Sequence, residues 1–235
     1  MPGAEPEHMT PIEPAARLVR PGEPGYPPGL EDLPDPAPLH VVGTLPAWGT
    51  ALVGTRAPSG DGLPMARELA ALLDAPIVAG LSPGIDLAAH LGALAAGVAT
   101  IAYLGSGLGA IAPGEPRSTA DAIALVAGGL ASEYEPDEPA TRYRLMRRDR
   151  LQAAHARAVV LVETEATGGA MHTLRYAALL DRPRFAFAPR GDMVTSGNAR
   201  AIANGARPLP WNAADAARII FVVVGASAAP YSRRR

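Results

Sequence analysis

From Leu39 onward, short apolar runs alternate with segments of helical length. The runs are Leu39–Val42, Thr50–Val53, Pro76–Ala79, Thr100–Leu104, Gly129–Ala131, Ala158–Val162, Arg184–Ala188 and Ile219–Val224. Each is a handful of mostly apolar, partly β-branched positions, which reads as a strand buried on both faces. The segments Asp61–Leu73, Ile85–Ala96, Thr119–Ala127, Tyr143–Ala156, Gly169–Leu180 and Gly197–Asn204 read as helices. Asn212–Arg218 reads as a short helix or a connector before the last run. Strands alternating with helices predict an α/β fold: a doubly wound, mainly parallel, extended Rossmann-like sheet with helices on both faces.

The chain before Leu39 has a different texture. Eleven of the 25 prolines fall within residues 1–38, and little periodicity is left there. Residues 1–25 read as a proline-rich, disordered or irregular arm. The stretch from Tyr26 to Pro38 reads as extended chain, with Tyr26, Leu30 and Leu33 as apolar anchors against the domain. The expected division is an arm over 1–25, one Rossmann-like domain over 26–225, and a loose basic tail over 226–235.

With 235 residues, 48% hydrophobic and 19% charged, the chain has enough apolar surface for a buried core. It has no cysteine, which excludes disulfides, thiolate metal sites and a cysteine nucleophile. No apolar run reaches the length of a spanning helix, and no signal pattern opens the chain. The expectation is a cytoplasmic protein without a membrane partner. A net charge of −2 provides no global basic field. All 21 basic residues are arginine, which among so much alanine, glycine and proline reads as genome composition.

In an open parallel sheet, ligands sit outside the carboxyl ends of the strands, so the loops there hold the candidate chemistry. After Pro76–Ala79 comes Gly80-Leu81-Ser82-Pro83-Gly84, which opens directly into the helix at Ile85. Such a turn aims backbone N–H groups and a positive helix end at one spot, as an anion site does, which puts Gly80, Ser82 and Gly84 among the candidates. After Thr50–Val53 comes Gly54-Thr55-Arg56-Ala57-Pro58-Ser59-Gly60, where Gly54 allows a tight turn, Ser59 caps the helix and Arg56 serves as an anion clamp. Gly105-Ser106-Gly107-Leu108-Gly109 and Glu163-Thr164-Glu165-Ala166-Thr167-Gly168-Gly169 follow two further strands. One glycine turn is weak evidence; four along one sheet edge favour a phosphorylated ligand or nucleic acid.

The segment Arg142-Tyr143-Arg144-Leu145-Met146-Arg147-Arg148-Asp149-Arg150 carries five arginines against one acid. A charge run of this kind is usually a solvated face, yet its place just before a glycine loop favours polyanion contact. Other chemistries find less support. A nicotinamide site at Gly105–Gly109 is disfavoured because the loop follows the wrong strand and Pro113 and Pro116 interrupt the receiving helix. Asp86 and His90 stand four apart on one helix without a third metal ligand nearby, so they read as helix-start stabilisation and a hydrogen-bonded core histidine. No nucleophile elbow, P-loop or zinc-protease pattern is present; no catalytic residue, metal or cofactor is assigned.

Taken together these residues resemble the DprA/Smf family of DNA-processing proteins, from about Tyr26 to Ala206. The resemblance lies in Tyr26-Pro27, Leu30, Leu33 and Asp35-Pro36, in Val53-Gly54-Thr55-Arg56, and in Gly80-Leu81 through Gly84-Ile85-Asp86 to Ala89-His90 and Gly92-Ala93-Leu94. It continues through Leu104–Leu108, Ser132-Glu133, Arg148-Asp149-Arg150, Val162-Glu163, Gly168-Gly169-Ala170, Thr173, Pro189-Arg190-Gly191 and Gly197-Asn198 to Asn204-Gly205-Ala206. The resemblance implies a non-enzymatic, single-stranded DNA-binding protein of DNA processing, uptake and recombination. It also implies a homodimer and a RecA-type recombinase as partner. By position it makes Arg56, Arg147, Arg148 and Arg150 phosphate contacts, with backbone donors at Gly54, Ser59, Gly105, Ser106, Gly107, Thr167, Gly168 and Gly169.

The chain departs from the family where members commonly carry Phe-Pro-x-Arg-Asn-Arg. Here Leu145 and Met146 replace the aromatic and proline, and Asp149 replaces the amide. Tyr143 offers an aromatic two positions early. The rival reading is a sensor of nucleotides or nucleotide-derived ligands, related to LOG-type Rossmann proteins. Its catalytic members carry Pro-Gly-Gly-x-Gly-Thr followed by glutamate, whereas Thr167-Gly168-Gly169-Ala170-Met171-His172-Thr173 is followed by Leu174-Arg175. Hydrolysis is therefore disfavoured.

Overall fold

The computed structural model describes residues 16–111, 116–126 and 128–226. Residues 1–15 of the arm, Pro113 and the tail beyond Ala226 lie outside the described residues. In chain order the strands are β1 (Arg17–Val19), β2 (Leu39–Gly43), β3 (Gly49–Val53), β4 (Ile77–Ala79), β5 (Thr100–Tyr103), β6 (Gly128–Ser132), β7 (Ala156–Leu161), β8 (Arg184–Phe187) and β9 (Arg207–Leu209). The α-helices are α1 (Gly62–Leu72), α2 (Ile85–Ala95), α3 (Arg117–Val126), α4 (Arg142–His155), α5 (Ala170–Leu179), α6 (Ser196–Ala203) and α7 (Ala213–Ala226). They build one nine-stranded sheet of order β1-β2-β6-β5-β4-β3-β7-β8-β9. The seven strands from β6 to β9 run parallel, and β2 and β1 extend the β6 edge antiparallel.

Two-residue periodicity divides the core. On one face Val53, Val78, Ile101, Tyr103, Val159 and Leu161 pack with Leu151 and Ala154 of α4 and Leu174 and Ala177 of α5. On the other, Leu52, Ile77, Val160, Phe185 and Phe187 pack under Ala66 and Leu69 of α1, Ala89 and Ala93 of α2, and Ala216 and Ile220 of α7. Successive strand residues thus serve opposite layers, as a sheet covered by helices on both sides requires. Tyr26, Leu30 and Leu33 join the first layer, and the Tyr26 hydroxyl donates to the Ala37 carbonyl at 3.0 Å. Burial lifts the Tyr26 pKa to about 12, so this donor keeps its proton. Among the described residues, no helix is long and apolar enough to cross a membrane.

Two expectations are corrected. Residues 17–19 of the expected arm form β1, whose Val19 is buried opposite Leu39 in the sheet. Three residues beside prolines carry too little periodicity to announce a strand. Ile219–Val224, read as the last strand, is instead part of α7. Its β-branched composition suggests a strand, but the place beside β8 is taken by Arg207–Leu209. Asn212 caps the segment through its side chain, accepting from Asp215 N–H at 2.9 Å. The helix then covers the second core layer with Ala216 and Ile220 and leaves Phe221 and Val222 exposed.

A helix and a strand make different demands at these positions. Ile220→Ala is expected to cost about 2–4 kcal/mol, while Val222→Ala stays within about 0.5 kcal/mol. Urea unfolding of the two variants checks this. Equal large losses would support a strand, in which residues 220 and 222 share a face.

Candidate nucleic-acid interface

The direction of winding reverses between β3 and β7, and in such sheets the crevice beyond the strand ends at the reversal is the natural binding place. A cleft of about 750 Å³ lies there. Val53–Arg56 form one wall; Ser82 and Asp86 at the start of α2, and Thr164 with Thr167–Ala170 at the start of α5, form others. Helix α4 lays Leu145, Arg148, Asp149 and Gln152 along the cleft, and its own first residues, Thr141 and Arg142, stand at the rim. Three helices therefore begin at this cleft. Their positive ends favour an anion.

The β3–α1 loop is held from beneath by Glu163. Gly54 meets the exit of β7 and the start of α2 so closely that a Cβ there would lie 2.8 Å from the Glu163 carbonyl and 2.5 Å from Ile85 Cγ1. That carbonyl accepts from Thr55 N–H at 2.7 Å. The fully buried carboxylate accepts from Ser59 N–H at 2.8 Å, from Ser59 Oγ at 2.5 Å and from Arg190 Nη2 at 2.5 Å. Gly84, at φ +87°, lets α2 start against this loop: a Cβ would stand 2.4 Å from the Thr55 carbonyl. On the far side, Asn198 accepts from Thr164 N–H at 3.1 Å and donates to the carbonyls of Val162 and Phe187, fixing the exit of β7.

Arg148 is the centre of the site. Only 4% exposed, it passes over Gly80, where a Cβ would lie 2.0 Å from its Nη1. Asp86 stands 3.8 Å and Asp149 3.6 Å from that nitrogen. The Ser82 hydroxyl accepts from Arg148 Nη2 at 3.4 Å and from Arg56 Nη2 at 3.3 Å. Burial pushes the Asp86 and Asp149 carboxyls up to about 6, against the opposing pull of Arg148. Arg148 Nε, Gln152 Nε2 and Thr164 Oγ1, all on cleft-lining residues, find no hydrogen-bond partner among the described residues. These atoms are sealed from solvent, as are Arg150 Nε and Nη1 on the side of α4 turned from the cleft, so they belong to the protein wall and not to the open surface of the cleft.

Of the residues expected from the sequence, the cleft collects Gly54, Arg56, Ser82, Arg148, Thr167, Gly168 and Gly169. Gly80 and Gly84 stand behind it as close-approach positions. Ser59 lies elsewhere: its N–H and hydroxyl are directed to Glu163, and the N-cap position of α1 is Asp61. Gly105, Ser106 and Gly107 do not line this cleft. Gly105 packs on Leu145, Gly107 on the Glu135 carbonyl, and Gly107 N–H donates to the Glu138 carbonyl at 2.8 Å. Ser106 is buried, and its carbonyl accepts from Ser132 Oγ. The arginine run is divided by helical geometry: Arg147 turns to Asp35 at 2.5 Å, and Arg150 to Glu133 at 2.6 Å, away from the cleft. Tyr143 is exposed and does not line it.

His90 is a core residue as read. Its Nδ1 lies 2.7 Å from Thr100 Oγ1 and its Nε2 2.5 Å from the Gly80 carbonyl, and burial lowers its pKa to about 4. Asp86, in contrast, is more than a helix-start residue, because it faces Arg148. Sequence reasoning missed Gln152 as a cleft residue, took Thr164 only as part of the loop after β7, and named Asp149 as a departure from the family without its pairing to Arg148. For Gln152 and Asp149 the signal was helical spacing, which places residues 145, 148, 149 and 152 on one side of α4.

The family model of the DNA recombination-mediator protein A matches residues 17–220. Protein Smf of Escherichia coli K12 is 35% identical over 180 residues, covering 74% of this chain and 48% of that protein. The chain spans about half the length of the curated relatives it matches. Among solved structures, DNA processing protein A of Streptococcus pneumoniae superposes with a TM-score of 0.78 at 27% identity, covering 88% of this chain and 74% of that one. DNA processing protein A of Helicobacter pylori, whose structure describes a single-stranded DNA binding mode, gives 0.75 at 24% identity over 89% of this chain and 97% of that one.

A carboxyl whose pKa is higher in the fold than in the unfolded chain stabilises the fold below the unfolded value. That contribution is lost as pH rises through the folded value. For Asp149 the window runs from 3.8 to about 6. His90 and His155, both pushed down to about 4 by burial, act in the opposite sense as pH falls from 6.5. Asp149→Asn separates the two effects. Its stability relative to wild type is expected to rise between about pH 4 and about pH 6, by on the order of 1–3 kcal/mol, and then level off. Paired urea melts across this range check it; a pH-independent difference would contradict the buried carboxyl.

Proposed function

Since the chain belongs to the DNA recombination-mediator protein A family, we propose that its switch-point cleft binds single-stranded DNA through the phosphate backbone. The observation that carries this reading is that α2, α4 and α5 all begin at the cleft that Arg56 and Arg148 line. An oligonucleotide backbone supplies repeated anionic acceptors, which suit that lining. Leu145 and Met146 supply an apolar lip on which a base can rest. The single-stranded DNA binding mode described for the Helicobacter pylori protein accords with the reading. Arg147 and Arg150, already paired with acids, act by holding α4 in place and do not contact phosphate. The reading is non-enzymatic and includes the partners implied by the resemblance: a second copy of this chain and a RecA-type recombinase.

Three arginines in the cleft, Arg56, Arg142 and Arg148, are offset by Asp86, Asp149 and Glu165. Affinity should accordingly respond to single charges. Fluorescence anisotropy with labelled oligo-dT across a salt series, with duplex DNA and mononucleotides as competitors, measures it. Arg56→Ala is expected to weaken binding about 3- to 10-fold and to reduce the salt slope by about 0.7. Asp149→Asn is expected to strengthen binding at neutral pH, because it removes a negative charge beside Arg148. Absence of oligo-dT binding at about 50 mM salt, or its displacement by mononucleotide, would refute the reading in favour of a nucleotide pocket.

A further inference from the structure

The wall of the cleft carries a charge imbalance where it is most buried. Arg148 Nη1 lies 3.8 Å from Asp86 and 3.6 Å from Asp149, and all three residues are buried. One guanidinium balances one carboxylate. With both carboxyls ionised the group is left with a net negative charge out of water, which is costly, and a single proton relieves it. Burial holds both carboxyls at about 6 against the pull of Arg148, so that proton is lost just below neutrality. The two carboxyls titrate as a pair, and the proton belongs to the cluster.

Other charges meet this cluster from each element around the cleft. Arg56, from the β3–α1 loop, shares the Ser82 hydroxyl with Arg148 and lowers both carboxyls, while Asp149 raises Asp86. Arg142 at the start of α4, Glu165 in the β7–α5 loop and His172 of α5 also line the cleft. These three are exposed or half-buried, where water and salt screen them. An anion in the cleft adds negative charge beside the pair and disfavours its ionised form further. The proton is therefore held to higher pH with the cleft filled than with it empty.

We propose that the Asp86–Arg148–Asp149 cluster is a proton switch: anion binding in the cleft takes up a proton, and loss of that proton as pH rises weakens the hold on the anion. The proposal rests on the single-stranded DNA reading of the cleft and adds its regulation. Phosphodiesters and thymine keep their charge over the same range, so the titrating partner is the protein. Affinity is highest in mildly acidic solution and falls through neutrality.

The test measures oligo-dT anisotropy at about 50 mM salt for wild type, Asp149→Asn and Asp86→Asn. Each variant leaves one carboxylate for one guanidinium, so its cluster needs no proton. At about pH 5 Asp149→Asn and wild type should bind alike; at about pH 7.5 the variant should bind about 3- to 10-fold more tightly. Taking the ratio cancels every titration the two proteins share, that of His172 included. Asp86→Asn approaches the guanidinium from α2 and should give the same trend, which separates the switch from a local effect on α4. Titration calorimetry at about pH 6 in two buffers of different ionisation heat reads the proton itself: uptake in wild type, none in Asp149→Asn. A ratio that stays constant with pH, or equal proton uptake in all three proteins, overturns the switch and leaves the single-stranded DNA reading standing. If wild type binds no oligo-dT at any of these pH values, that reading falls and the switch with it.

Discussion

The site depends on the contact between Gly54, Ile85 and Glu163. At this point the end of β3, the start of α2 and the exit of β7 come within 2.5–2.8 Å of a position that has no room for a side chain. A carboxylate with no exposure at all is costly unless its charge is met, and Glu163 meets it with two donors from Ser59 and one from Arg190. Its backbone carbonyl takes the Thr55 N–H as well. One residue just past the end of β7 thus sets the course of the loop carrying Arg56, and Arg190 extends the network to the loop after β8.

Arg148 depends on that frame. Its guanidinium reaches the cleft only because Gly80 leaves space for it, and it stays there because Asp86, Asp149 and Ser82 surround it. Two carboxyls whose pKa lies near 6 around one guanidinium make a nearly balanced cluster rather than a basic patch. What the cleft offers an anion therefore comes as much from helix ends as from net charge.

Much of the fold was legible because strands buried on both faces have an unmistakable composition. Ala158–Val162 is apolar at every position, and the structure divides those positions between layers, Val159 and Leu161 on one side and Val160 and Val162 on the other. Arg17–Val19 was not legible, since three residues amid prolines carry no period. Ile219–Val224 was misread because β-branched composition indicates burial without stating which element is buried. The candidate site was legible in part. Glycines mark where chain segments approach closely, but Gly54 and Gly80 do so beside the cleft while Gly105 and Gly107 do so beneath the 133–145 segment.

By itself the sequence determined the alternation of strands and helices, the loops at the strand ends and the kinds of side chain carried there, because these follow from periodicity and backbone freedom along the chain. Only the tertiary structure decided that Arg148 enters the cleft while Arg147 and Arg150 turn to Asp35 and Glu133. Neighbouring residues on a helix point roughly 100° apart, so a run of arginines cannot serve one surface. Which of them meets an acid depends on residues as far as Asp35, more than a hundred positions away, or just past the end of β6, and no local pattern holds that information.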